Sequence, residues 1–276
     1  MTNRIVMENV KKEYKNFQLG EISISIPKGY ITGFIGRNGQ GKTTMIRSIL
    51  SFINFEGNIL IDGKHNLDLD FLQKTGIVMD EQFLAKDWTI SLVNQAMEIG
   101  YEEWNSKQFF NFIKSFDIPL KSKGRELSRG MKIKLMLSIA LSHNADLLIL
   151  DEPTSGLDPS TRDEFVDIIQ KYMENEENTV LFSTHITQDL EAIADYIIFI
   201  DDGKLIQFAP MEEFINSYKI IKGSLDDLER ISNNNLLGYK KSSIGFEALI
   251  SKNLEDKIPS YINIESANIE KIMVLY

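Results

Sequence analysis

One segment limits the possible folds more than any other: YITGFIGRNGQGKTTMIRSIL, residues 30–50. Ile31 to Ile35 is a short apolar run that reads as a strand, and from Lys42 onward apolar residues return at helical spacing. Between them stand Gly36, four residues, and then Gly41-Lys42-Thr43, which is the phosphate-loop pattern in the strand-to-helix setting its mechanism requires. The glycines let backbone amides wrap phosphate oxygens, and the start of the following helix adds positive potential. Lys42 supplies charge to the β- and γ-phosphates, and the Thr43 hydroxyl reaches Mg²⁺. Arg37, Asn38, Gly39, Gln40 and Thr44 complete the cradle, so the expected ligand is a nucleotide with Mg²⁺.

The rest of the chain agrees with an α/β fold. GNILIDG, TGIVMDE, ADLLILDE, NTVLFSTH, IIFIDD and KLIQF read as strands, and several are continuous Ile/Leu/Val runs rather than alternating ones. Interleaved with helices, such runs indicate a parallel sheet covered on both faces. RIVMENVKKEY and GEISISIPKGY read as further strands ahead of the phosphate loop. From Trp88 to about Asp117 the pattern is helical, in TISLVNQAMEIG and EEWNSKQFFNFIKSF, and Pro119 closes it. Further helices are expected at PSTRDEFVDIIQKYMENE and QDLEAIADY. Composition shifts near Tyr218, beyond which short elements suggest a small appended α/β module.

Two more stretches bear on chemistry. LLILDE ends a buried strand in Asp151-Glu152, at the sheet edge where open α/β sheets bind ligands; Asp151 suits Mg²⁺ and Glu152 suits the attacking water. GRELSRGMKIKLML, residues 124–137, places Ser128 as the N-cap of a helix with Gly130 two residues on. That is an anion site without a phosphate loop of its own, or simply a well-capped helix.

In this order the motifs resemble the ATP-binding cassette of ABC transporters, over roughly residues 3–218. GRNGQGKTT is similar to its Walker A, LLILDE to its Walker B, LSRGM (with Arg129 for the commoner glycine) to its signature, SGLD to its D-loop with Asp158, and STH to its switch histidine, His185. The resemblance implies a P-loop NTPase core with an N-terminal antiparallel β subdomain, a helical subdomain inserted at about 86–142, and a small C-terminal α/β module over 219–276. It also implies a head-to-tail dimer, homo- or heteromeric, in which Ser128 and Gly130 of one subunit cover the ATP held by the other. Tyr14 falls where the family stacks an aromatic on adenine, with Phe17 as its rival, and His185 would sense the γ-phosphate. Where the family has a glutamine touching Mg²⁺, this chain has Asp80, with Gln82 two residues on. His65 and His143 have no partners at metal-ligand spacing and read as loop and helix-end residues.

Composition narrows the setting. Of 276 residues, 43% are hydrophobic and 25% charged, as in ordinary globular proteins, and the net charge of −10 argues against a general nucleic-acid or anionic-membrane binder. The absence of cysteine excludes disulfides and thiolate metal sites. MTNRIVMENVKKEY lacks the apolar core of a secretory signal, and the apolar runs are far too short to span a bilayer. The resemblance therefore implies a cytoplasmic ATPase held on the inner membrane face by a separate permease, which would dock over residues 86–121 with Phe83, Trp88 and Trp104 nearby. The LSRGMKIKL form, one cassette per chain and a short C-terminal module resemble ABC-2-type exporters of Gram-positive bacteria. Such systems move lipids, polymers, antibiotics or amphipathic peptides, the staphylococcal phenol-soluble modulins among them. Import is the alternative direction. Ribosome-acting relatives carry two cassettes and a basic linker, and those acting on DNA carry long coiled coils, neither of which this acidic chain has.

Overall fold

A computed structural model describes residues 2–79, 86–231 and 235–276. Strands β1 (Asn3–Tyr14) and β2 (Phe17–Pro27) form a hairpin, and β3 (Ile31–Ile35) runs through the glycine loop into α1 (Lys42–Ile49). Then come β4 (Glu56–Ile61), β5 (Lys64–His65) and β6 (Thr75–Met79), followed by α2 (Ile90–Gly100), α3 (Ser106–Ser115) and α4 (Arg129–Ala140). The chain continues through β7 (Leu147–Asp151), α5 (Pro159–Tyr172), β8 (Thr179–Ser183), α6 (Thr187–Glu191), β9 (Tyr196–Asp201), β10 (Lys204–Pro210) and α7 (Met211–Asn216). It closes with β11 (Tyr218–Gly223), α8 (Leu225–Arg230), β12 (Gly238–Ser242), β13 (Gly245–Ser251), β14 (Asn263–Ser266) and α9 (Ile269–Leu275).

The central sheet has the order β10-β9-β3-β8-β7-β6, parallel throughout except for the β10 edge. Every residue of β3, β7 and β8 is buried, which explains their unbroken apolar sequences: both faces are covered. Leu148, Leu150, Val180, Phe182 and Phe199 face the core shared with α3, α4 and α5. Leu147, Ile149, Leu181, Ile198 and Ile200 face the opposite core, built with α1 and the antiparallel sheet β2-β1-β4-β5. Cutting a wholly buried side chain such as Leu150 to alanine costs about 2–5 kcal/mol. Arg4, 2% exposed, ties the two layers together by pairing with Asp62 at 3.0 Å and with Asp146 just before β7.

Side chains in the sequence mark the helix starts. Thr89, Asn105, Ser128 and Asp158 each accept a hydrogen bond from a first-turn amide of α2, α3, α4 and α5, and Pro159 follows Asp158 where its missing N–H costs nothing. α6 is shorter than the sequence suggests. It stops at Glu191 because Asp195 turns inward to accept the Ile31 amide at 2.8 Å and Tyr196 is drawn into β9. Trp88 and Trp104 are both half-buried against the large core, and the Trp104 indole N–H donates to Asn94 at 3.0 Å. His143 is buried, stacked 3.9 Å from Tyr101 and 2.9 Å from the Ile139 carbonyl, and burial pushes its pKa down.

Beyond Tyr218 an antiparallel sheet of order β12-β13-β11-β14 carries its own small core around Ile221, Phe246, Ile250 and Ile262. Its opposite side is continuous with the main body, since Ile220 and Leu249, together with Ile269, Ile272, Met273 and Leu275 of α9, belong to the large core.

Candidate active site

The C-terminal ends of β3, β7 and β8 lie side by side and deliver the groups that the sequence singles out. Gly41 caps α1 with φ +110°, and a Cβ there would stand 2.9 Å from the Phe17 ring, so both conformation and space demand glycine. Lys42, 5% exposed, donates from Nζ to the Gly36 carbonyl at 2.7 Å and to the Arg37 carbonyl at 3.3 Å. The loop is pinned from outside as well. The Gln40 side-chain oxygen accepts the Asp202 amide, and the Gln40 carbonyl accepts the Gly203 amide at 3.2 Å.

The two acids occupy distinct environments. Asp151 accepts from Thr43 Oγ1 at 2.8 Å and from Ser183 Oγ at 2.5 Å. Burial raises its pKa and the Glu152 charge adds to that, against the two hydroxyl bonds and Lys42. Glu152 has φ +51°, a left-handed conformation rare for a residue with a side chain and one that collects at functional sites. Its Oε2 lies 2.5 Å from His185 Nδ1 and accepts the His185 amide at 3.3 Å. Its Oε1 is buried and has no hydrogen-bond partner among the described residues, although the Lys42 ammonium lies 3.2 Å away. Paired only with that ammonium, this carboxylate oxygen keeps acceptor capacity for a water. A cleft of about 330 Å³ joins these groups and is lined by Asn38, Thr43, Arg47, Asp151, Glu152 and His185, with Met79 and Ser155 completing it.

The fit to Mg²⁺ rests on the donor set. Thr43 Oγ1 and Asp151 Oδ2 are adjacent hard oxygens beside the phosphate loop, and Mg²⁺ prefers one or two such protein ligands with the rest from phosphate and water. Asp80, with Glu81, Gln82 and Phe83, lies outside the described residues.

Other residues sit apart from this cleft. Tyr14, 45% exposed, pairs with Phe17 at the end of the β1–β2 hairpin, their ring centres 6.4 Å apart, and Phe17 is the ring that touches Gly41. Ser128, Gly130 and Asp158 do not line the cleft. They form a second locus: Leu157 and Thr161 flank Gly130, and the Arg129 guanidinium lies about 3.5 Å from where a Cβ on Gly156 would stand. Ser128 caps α4 by accepting the Met131 amide at 3.2 Å, and Asp158 accepts the Thr161 amide and hydroxyl, which lower its pKa. Ser183 was not legible as a site residue, although it opens the Ser-Thr-His run, and neither were Arg47 and Met79 of the cleft lining.

A parallel sheet with a phosphate loop after one inner strand and acids after another defines a P-loop nucleoside-triphosphatase fold. The ABC transporter family matches residues 19–155. The chain is 33% identical over 239 residues to the lantibiotic transport ATP-binding protein SrtF of Streptococcus pyogenes, covering 85% of this chain and 98% of that protein. It is 33% identical over 196 residues to the bacitracin transport ATP-binding protein BcrA of Bacillus licheniformis, covering 69% of this chain and 64% of that protein. A solved ATP-binding subunit of an ABC transporter shares the fold with a TM-score of 0.68 at 21% identity, over 77% of this chain and 91% of that one. The chain belongs to the ABC transporter ATP-binding family, whose members hydrolyse ATP.

Proposed function

We propose that this chain is the ATPase subunit of a two-cassette exporter, hydrolysing MgATP at a site that only a second cassette completes and driving a separate membrane permease. The observation that carries the proposal is the division of the site residues. Asn38, Thr43, Asp151, Glu152 and His185 line one cleft, with the Lys42 ammonium 3.2 Å from Glu152, while Ser128, Gly130 and Asp158 lie outside its lining. A helix start whose amides and capping serine favour an anion then has a use, namely to cover the γ-phosphate bound by another subunit. ATP joining two surfaces favours the closed pair, and loss of the γ-phosphate releases it.

In the closed pair Glu152 Oε1 holds the attacking water and takes its proton, while His185 keeps Glu152 in place and faces the γ-phosphate. Lys42 turns from the Gly36 and Arg37 carbonyls to the phosphate oxygens and stabilises charge there. Thr43 and Asp151, with Asp80 as a further ligand, would hold Mg²⁺, which when bound neutralises charge on the β- and γ-phosphates. Tyr14 stacks on adenine from the exposed hairpin end. Residues 1–218 serve as the nucleotide-binding domain, with 86–142 as its helical part, and 219–276 as an accessory module.

Among the described residues no helix is long and apolar enough to cross a membrane, which supports a distinct permease and a place on the cytoplasmic membrane face. The relatives named for lantibiotic and bacitracin transport support an exported cargo of amphipathic peptides, lipids or antibiotics. The test is co-expression with the membrane proteins encoded beside it, followed by reconstitution into inside-out vesicles with a labelled amphipathic peptide. ATP-dependent accumulation in the vesicle lumen is expected. A chain that copurifies with no membrane protein overturns the permease assignment, and ATP-driven efflux from those vesicles would mean import.

A further inference from the structure

Helix α9 is bonded to the phosphate loop at one end and to α6, the helix after His185, at the other. At its C-terminal end, Arg37 of the phosphate loop donates from Nε to the Met273 carbonyl and from Nη2 to the Val274 carbonyl, both at 3.2 Å. At its N-terminal end, the Ile269 amide donates to Glu191 Oε1 at 3.1 Å. Glu191 is the last residue of α6, the helix that starts two residues after His185. Between these anchors Ile269, Ile272, Met273 and Leu275 are buried, and Tyr276 sets its ring edge-on to Phe199 of β9 with ring centres 4.9 Å apart.

Each anchor suits the helix end it holds. The last carbonyls of a helix lack partners within it and carry partial negative charge, which a guanidinium satisfies in both respects. The first amides have the opposite need, met here by a carboxylate. Arg37 is also one of the two residues whose carbonyls receive the Lys42 ammonium. The contact to α9 therefore acts on the backbone segment that positions Lys42, and its guanidinium is directed toward the C-terminal helix.

We propose that α9 is a strap across the ATP site, holding the phosphate loop through Arg37 to the switch-histidine helix through Glu191, so that the C-terminal module sets the affinity for ATP. Arg37 and Glu191 are positioning residues in this scheme, and a partner that displaces the module loosens the loop. The proposal rests on the ATPase function above, but its first readout needs no nucleotide.

The experiment measures amide hydrogen exchange in the full nucleotide-free chain, then KM for ATP and kcat, for wild type, Arg37→Met, Arg37→Lys and Glu191→Ala. Glu191 is exposed, so its replacement leaves the core intact. Arg37→Met and Glu191→Ala are each expected to speed exchange at both 36–41 and 269–276. They are also expected to raise KM about three- to tenfold with kcat within about twofold, and Arg37→Lys, which keeps a charged donor, falls between. The strap is overturned if Glu191→Ala speeds exchange only around 187–193 and 269–276 while 36–41 and KM stay at wild type. It is equally overturned if Arg37→Met raises KM without altering exchange in α9, which would make Arg37 a direct nucleotide contact only. Failure of wild type to hydrolyse ATP would remove the ATPase function, and the exchange coupling between the two segments would still decide the strap.

Discussion

Replacing Glu152 by glutamine separates its chemical role from its structural one. The side chain is 17% exposed, so its charge is partly desolvated, and it meets His185 through the ring Nδ1 at 2.5 Å and the backbone amide at 3.3 Å and pairs with Lys42 at 3.2 Å. Glutamine keeps an oxygen for His185 and keeps the backbone, but sets an amide or a neutral oxygen opposite the Lys42 ammonium. Lys42 retains its two carbonyl acceptors, so the loss in folding stability is about 1–2 kcal/mol. Loss of a positioned general base removes about 100- to 10,000-fold in rate, or about 3–5 kcal/mol of barrier. The catalytic loss exceeds the structural one, and a folded, ATP-binding, nearly inactive protein is expected. Phosphate release at saturating MgATP gives kcat, binding of a ribose-labelled ATP gives Kd, and size exclusion with ATP reports the dimer. The expected outcome is a kcat lower by about 100-fold or more, a Kd within about threefold of wild type, and a dimer that persists with ATP. Hydrolysis within about tenfold of wild type would refute Glu152 as the base.

Asp189, 4% exposed, accepts from Thr154 Oγ1 at 2.6 Å, and burial holds its carboxyl above the ordinary value of 3.8 against the pull of Thr154 and Arg162. The folded state thus keeps this proton to higher pH than the unfolded state, and the ionised form costs stability that returns as pH falls through the folded value. Asp189→Asn is expected to raise the Tm at neutral pH by about 2 °C, with the two proteins converging toward acid; a lower Tm at every pH in a thermal melt would show that the Arg162 and Thr154 contacts dominate. Tyr14→Ala is expected to weaken ATP binding by about tenfold with an unchanged Tm, whereas Phe17→Ala, which bares Gly41, lowers the Tm. Equal ATP affinity of Tyr14→Ala and wild type in a binding titration would remove Tyr14 from the adenine site.

The parts of the site that were legible in the sequence are those whose chemistry demands fixed local order. A phosphate loop needs its glycines, Lys42 and Thr43 consecutive between strand and helix, and a strand delivering Asp151 and Glu152 to the sheet edge must be apolar up to those acids. Caps are local too, which is why Ser128 was readable as a helix start. Contacts made across the fold were not. Ser183 meets Asp151 only because β7 and β8 are neighbours, and Arg37 finds Met273 and Val274 at the far end of the chain through their carbonyls, which leave no trace in residue type. The same reason hid the setting of Arg129, which rests against Gly156 of the neighbouring loop, and the early end of α6, which depends on Asp195 reaching β3.

A complementation assay tests the composite site most directly. Lys42→Ala removes the phosphate-loop cation, and Ser128→Arg blocks the surface that would cover a partner's ATP; each is expected to be inactive alone, the first through lost ATP binding and the second with binding intact. Mixed in equal amounts above the dimerisation concentration, half of the pairs would be heterodimers with one intact site each, so ATPase activity is expected to recover to about a quarter of wild type. A mixture no more active than its separate components, or a Ser128→Arg protein that hydrolyses ATP at the wild-type rate, would contradict a site shared between two subunits.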